Sequence, residues 1–183
     1  MGDRGRFETL VLPHLDAAYN LARWLTRDAV DADDVVQDAC VRAMRYVGTL
    51  RDPEARPWFL TIVRNAFYDW LAARRANAFE HDDDAIDRAV DPRPGPHEQA
   101  ATTNEMRVVV DALERMPLQF REVLILRELD ELSYKEIAVI IDAPIGTVMS
   151  RLARARALLR DHAGPARAAG DGGRATHLVG TER

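Results

Sequence analysis

The sequence predicts an all-α protein built from two small helical domains joined by a flexible acidic linker. Three observations lead there. Apolar residues recur three or four apart from Phe7 to Leu25, from Asp31 to Val47, from Pro57 to Leu71 and again from Val108 to Leu159, which is the period of a helix. No run of alternating β-branched residues is long enough to form a sheet. Between the two apolar blocks, residues 76–100 hold 2 basic and 7 acidic side chains and the run Asp91-Pro92-Arg93-Pro94-Gly95-Pro96, a composition that cannot build a core. The boundaries read as a first domain over 1–77, a linker over 78–97, a second domain over 98–163 and a disordered tail over 164–183.

Each helix has its own local reasons. Leu10, Leu15, Ala18, Leu21, Ala22 and Leu25 mark the face of the first segment, and Pro13 kinks or restarts it. Asp31 is read as the cap of the next, with Asp33 and Asp34 favoured by the positive end of its dipole. The stripe of this second helix is read as Val36, Cys40, Ala43 and Val47. Asp34, Gln37, Asp38 and Val41 fall on its opposite face, which suits a solvated surface or a docking face for a basic helical partner.

A third helix begins at Pro57, a favoured first position, and runs to Arg74-Arg75. It mixes Trp58, Phe59, Phe67 and Trp70 with Arg56, Arg64, Asn65 and Tyr68. Aromatics with cations are what a single nucleic-acid strand needs, because bases stack and phosphates pair. The same aromatics also suit a core. In the second block, helices are expected through Val108 to Leu113 and from Pro117 to Leu129.

The stretch from Ser133 to Arg156 is the most informative. Ser133 with Glu136 three residues on makes a capping box. Ile137, Ala138 and Ile141 stripe a short helix, and Asp142-Ala143-Pro144 breaks it. Gly146-Thr147 opens another helix, whose buried face is Val148, Leu152, Ala155 and Leu159. Ser150, Arg151 and Arg154 lie away from that face. From Ala143 to Arg160 there are four arginines and no acid, in a chain whose net charge is −5. Paired amphipathic helices also occur in proteins that never touch DNA, but an acid-free arginine face favours a major groove.

Composition excludes several classes. No apolar stretch approaches the roughly 20 residues of a membrane span, and the N-terminus lacks the apolar core of a signal peptide. One cysteine, Cys40, cannot form an internal disulfide, so a reducing cytoplasm fits. His14, His81, His97, His162 and His177 are scattered without metal-ligand spacing. There is no phosphate loop and no clustered acid–base set, so neither a metal, a cofactor nor a catalytic activity is expected.

Three of these motifs carry a resemblance. Val30–Arg45 resembles the part of bacterial sigma factors that docks on RNA polymerase. Trp58–Trp70, followed by Arg74-Arg75, is similar to their −10 segment. Leu132–Ala138 with Gly146–Val148, Ser150–Leu152 and Arg154–Arg156 resembles their −35 reader. Order and spacing match the two-domain, extracytoplasmic-function branch of the sigma-70 family, over roughly residues 7–160.

The resemblance implies roles. Asp34, Gln37 and Asp38 would grip the clamp helices of the polymerase's largest subunit. Arg56, Arg64, Asn65 and Tyr68 would hold the −10 strand, and the loop from Gly48 to Arg56 would take in a flipped base. Lys135, Gly146, Thr147, Ser150, Arg151 and Arg154 would meet the −35 element. An anti-sigma protein would be the regulator. Met149 and Ala153 depart from the family's usual cationic or larger side chains on the DNA face. The alternative is a stand-alone helix-turn-helix regulator that binds operator DNA without polymerase.

Overall fold

The computed structural model describes residues 2–50, 55–81 and 104–170. Among them are eight α-helices and no strand. Helices α1 (Asp3–Leu10), α2 (Leu15–Thr26), α3 (Ala29–Tyr46) and α4 (Ala55–His81) form the first block. Helices α5 (Asn104–Arg115), α6 (Leu118–Glu128), α7 (Tyr134–Ile140) and α8 (Ile145–Gly170) form the second.

In the first block α2, α3 and α4 pack pairwise around Leu21, Ala22, Leu25, Val35, Ala39, Phe59, Val63 and Phe67, all buried. Alanines on α3 let the helices approach closely, and the phenylalanines of α4 fill the space between them. Burying each large apolar side chain contributes about 1.5–3 kcal/mol. Pro13 sits in a single 3₁₀ turn, Leu12–His14, that ends α1 and restarts the chain as α2.

The cap of α3 is Asp28, not Asp31. The Asp28 carboxylate accepts from the backbone N–H groups of Val30 (2.8 Å) and Asp31 (3.1 Å). Arg27 ends α2 in the left-handed conformation (φ 65°), which turns the chain so abruptly that Asp28 already stands at the next helix's first turn. Asp31 instead accepts from Arg74 of α4 at 2.8 Å. The expected stripe holds at Ala43 and Val47, both fully buried, but not at Val36 and Cys40. Ala32, Val35, Ala39 and Ala43 are buried, while Val36 and Cys40 lie half-buried at the edge.

In the second block α6 and α7 pack on α8, and α5 also lies along α8. Helix α4 continues to His81, four residues into the expected linker, and α8 continues to Gly170, seven residues into the expected tail. The α8 extension holds Ala166, Ala168 and Ala169, alanine being the strongest helix former. The rest of the linker and tail lies outside the described residues.

The two blocks are not separate in this structure. Helix α2 packs on α6 and α4 packs on α7, and buried apolar residues form one continuous cluster from Phe7 to Ala155. Ion pairs also cross between the blocks, Arg64 to Glu122 of α6, Arg56 to Asp130 just beyond α6, and Arg27 to Glu114 of α5.

Candidate nucleic-acid and polymerase interface

The helix-turn-helix is α7, its turn and α8. The capping box closes α7 in both directions. Ser133 Oγ accepts from the Glu136 N–H at 3.2 Å, and a Glu136 carboxylate oxygen accepts from the Ser133 N–H at 2.7 Å. These bonds satisfy two groups that a helix start otherwise leaves without intrahelical partners, and they hold the Glu136 carboxyl below its ordinary pKa. Asp142 takes the left-handed conformation at the turn (φ 49°), which aspartate tolerates better than a branched side chain does. Pro144 then starts α8, its carbonyl accepting from the Thr147 N–H at 2.8 Å.

Val148, Leu152 and Ala155 are buried, so the facing of α8 is fixed. Gly146, Met149, Ser150, Ala153 and Arg154 are exposed along the opposite arc, and Lys135 is exposed on α7. Thr147 and Arg151 are half-buried at the edges. Burial raises the pKa values of Tyr68 and Glu122, and the nearby Arg151 charge opposes both rises, which places Arg151 on the side of the first block. Arg156 is drawn aside to Glu128 at 2.8 Å.

The α4 residues behave differently from one another. Asn65 faces solvent. Arg56, Arg64 and Tyr68 face the second block. Arg64 Nε donates to Glu122 Oε1 at 2.6 Å, and the Tyr68 hydroxyl lies 3.5 Å from Glu122 Oε2. The Arg64 guanidinium also stands 4.6 Å from the Tyr68 ring centre. Arg56 reaches Asp130 at 3.4 Å, and Arg27 of α2 reaches Glu114 of α5 at 3.9 Å.

Glu122 and Asp130 are 1% and 3% exposed. Burial pushes the Glu122 carboxyl upwards against the counter-pull of Arg64. Burial raises Asp130 to about 6, and Arg56 opposes that rise. Asp130 Oδ2 is buried without a hydrogen-bond partner. Arg121, also buried, falls to about 10 through desolvation and the nearby Arg27 charge. The aromatics of α4 divide as well. Phe59 and Phe67 are core, Trp70 stacks on Phe67 at 5.8 Å, and Trp58 is half-buried.

Sequence reasoning missed Glu122, Asp130 and Arg121. One signal was available. Arg121-Glu122 stands directly before Val123-Leu124-Ile125-Leu126, and Glu122 shares a helical face with Leu118 and Leu126, so its burial could have been read from the spacing.

On α3, Asp34, Gln37 and Asp38 are all exposed, and Val41 continues the face at 46% exposure. Asp38 pairs with Arg42 at 2.7 Å, and Arg42 also holds Asp69 of α4, so the charge of Asp38 is partly neutralised. Asp34 makes no ion pair with any described residue. The loop expected to take in a base includes 51–54, outside the described residues. No cluster of three metal-ligating side chains occurs among the described residues, and no helix among them is long and apolar enough to cross a membrane.

This arrangement has close counterparts. Residues 10–77 match the family model Sigma-70 region 2, and residues 106–159 match the model Sigma-70, region 4. The chain belongs to the sigma-70 family, in its extracytoplasmic-function branch. It is 34% identical to the RNA polymerase sigma-H factor of Pseudomonas aeruginosa, across 85% of this chain and 84% of that protein. It is 33% identical to the probable RNA polymerase sigma factor RfaY of Xanthomonas campestris, covering 77% of this chain but 36% of that longer protein. The sigma factor RpoE of Bartonella quintana, solved in complex with the anti-sigma factor NepR, matches with a TM-score of 0.75 and 26% identity over 86% of this chain and 96% of that one. The region 4 match runs from within α5 into α8 as far as Leu159.

Proposed function

We propose that this sigma-70 family chain is the promoter-specificity subunit of a bacterial RNA polymerase, binding the core enzyme and directing initiation at promoters with −35 and −10 elements. The observation that carries the reading is the combination of an acidic exposed face on α3 with a solvent-facing, acid-free arc on α8 that presents Arg154 and Ser150. A stand-alone operator-binding regulator needs the second but not the first. In this reading Asp34, Gln37 and Asp38 meet the clamp helices of the polymerase's largest subunit. Lys135, Gly146, Thr147, Ser150, Arg151 and Arg154 meet the −35 element. The chain performs no catalysis of its own and works in the cytoplasm.

Arg56, Arg64, Asn65 and Tyr68 serve the −10 strand. Three of these four are engaged by carboxylates of the second block, so promoter opening requires the blocks to part. The arrangement seen is then a closed state, and an anti-sigma partner that holds it closed would hide the −10 residues. The likeness to a sigma factor solved with its anti-sigma protein supports that view.

Co-purification with core polymerase tests the reading against its alternative. Charge reversal at the face, Asp38→Lys, should reduce competition for core polymerase while leaving the fold intact, since exposed substitutions shift stability by about 0.5 kcal/mol or less. If the variant competes as well as the parent, the α3 face is not the docking surface.

A further inference from the structure

The exposed arc of α8 carries two chemistries. Ser150 and Arg154 bear hydrogen-bonding groups, whereas Gly146, Met149 and Ala153 bear none. Met149 is 54% exposed between buried Val148 and Leu152. Rotating the helix to hide it would bring Val148 into water, so its outward position is set by the core. Ile145, one turn before Met149, is 41% exposed, and Ala153, one turn after, is exposed too. Residues four apart share a face, so these side chains form an apolar strip along the arc.

Two neighbours deepen the strip. A Cβ added at Gly146 would meet nothing within 4 Å, so packing inside the protein does not require glycine there, and the helix backbone is open to close approach from outside. The Ser150 hydroxyl donates to the Thr147 carbonyl at 3.0 Å and is turned back on its own helix.

We propose that Met149, seconded by Ala153, reads thymine methyl groups in the −35 major groove, and that the preferred −35 element therefore carries thymine opposite Met149. The inference rests on α8 being the −35 helix. The one apolar group that base pairs present in the major groove is the C5 methyl of thymine. A thioether side chain is flexible and polarisable enough to close over it. Opposite any other base edge, Met149 would desolvate donors or acceptors that it cannot satisfy. Arg154, one turn beyond Ser150, remains available for a guanine or a phosphate.

The test uses the full chain with core polymerase and the promoter duplex it enriches from a random-sequence library. Each thymine of the −35 element is replaced singly by deoxyuridine, which keeps the pairing and deletes only the methyl. One or two positions should lose about fourfold in affinity, the worth of one buried methyl-sized group. Met149→Ala should bind the parent duplex more weakly and no longer distinguish thymine from deoxyuridine at that position, while Met149→Leu should retain the distinction. Equal affinity across the deoxyuridine series overturns the proposal, as does a −35 element without thymine or a Met149→Ala variant that keeps full methyl sensitivity. Arg154→Ala on the same duplex separates the two levels. Loss of binding there with a silent deoxyuridine series removes only the methyl readout. No loss there removes the −35 assignment of α8 itself.

Discussion

Glu122 is the residue on which most of the interblock chemistry converges. Its carboxylate is almost fully buried and takes its charge partner, Arg64, from a helix 58 residues earlier. Removing one member of a buried pair leaves the other desolvated and uncompensated, at about 3–5 kcal/mol. Arg64→Ala should therefore cost about 3 kcal/mol or more of stability in urea denaturation. The double variant Arg64→Leu with Glu122→Leu should recover most of the loss. Equal destabilisation by the single and the double variant would show that the pair is not coupled.

Asp130 gives a pH signature. Its carboxyl titrates at about 6 in the folded state against 3.8 in its ordinary state, because burial disfavours the charge more than Arg56 favours it. The folded state thus binds this proton more tightly than the unfolded chain does. The stabilisation from Asp130 is fully present below about 3.8 and is lost as pH rises through about 6. Denaturation midpoints of the parent and Asp130→Asn, measured from pH 7.5 to 5, should show the parent gaining relative to the variant as pH falls. A constant difference across that range would mean that Asp130 keeps an ordinary acidity.

Among the elements, α7 and α8 were the most legible in the sequence, because everything that defines them is local. The capping box spans three residues, the turn carries its own proline, and the buried face follows from the helical period. Helix α3 was legible as a helix but not in its rotation. Its buried face was read correctly at Ala43 and Val47 but takes Ala32, Val35 and Ala39 in place of Val36 and Cys40, and its true cap stands just beyond a left-handed Arg27 that no composition rule foretells. The two aspartates separate cleanly by experiment. Asp28→Ala should cost about 1 kcal/mol through the lost cap. Asp31→Ala should cost less, about 0.5 kcal/mol, since its ion-pair partner Arg74 is largely exposed and solvent screens the pair. Thermal melts of the two variants check this, and a larger loss for Asp31→Ala would restore it as the cap.

At the scale of the molecule, the two-block division was legible and the closure between the blocks was not. Periodicity gave three helical segments in the first block, the first of which the structure divides at Pro13 into α1 and α2, and four in the second. Closure combines the apolar contacts of α2 with α6 and of α4 with α7 with pairs such as Arg64 with Glu122 and Arg56 with Asp130, 58 and 74 residues apart, and no sequence window joins such pairs. The same pairs divide the candidate site. The α8 arc proposed for the −35 element and the α3 face proposed for the polymerase lie open, while three of the four residues proposed for the −10 strand are turned inward against the second block. In the proposed reading, recruitment begins with the exposed faces and ends with the blocks apart.

The most direct measurement of this account is in-vitro transcription from a genomic DNA library with core polymerase, with and without the chain, with the start sites mapped. The account predicts initiation at a discrete set of new sites that share −35 and −10 elements at a fixed spacing, abolished or strongly reduced by Asp38→Lys. A chain that binds DNA fragments yet yields no new start sites and does not associate with core polymerase would contradict it.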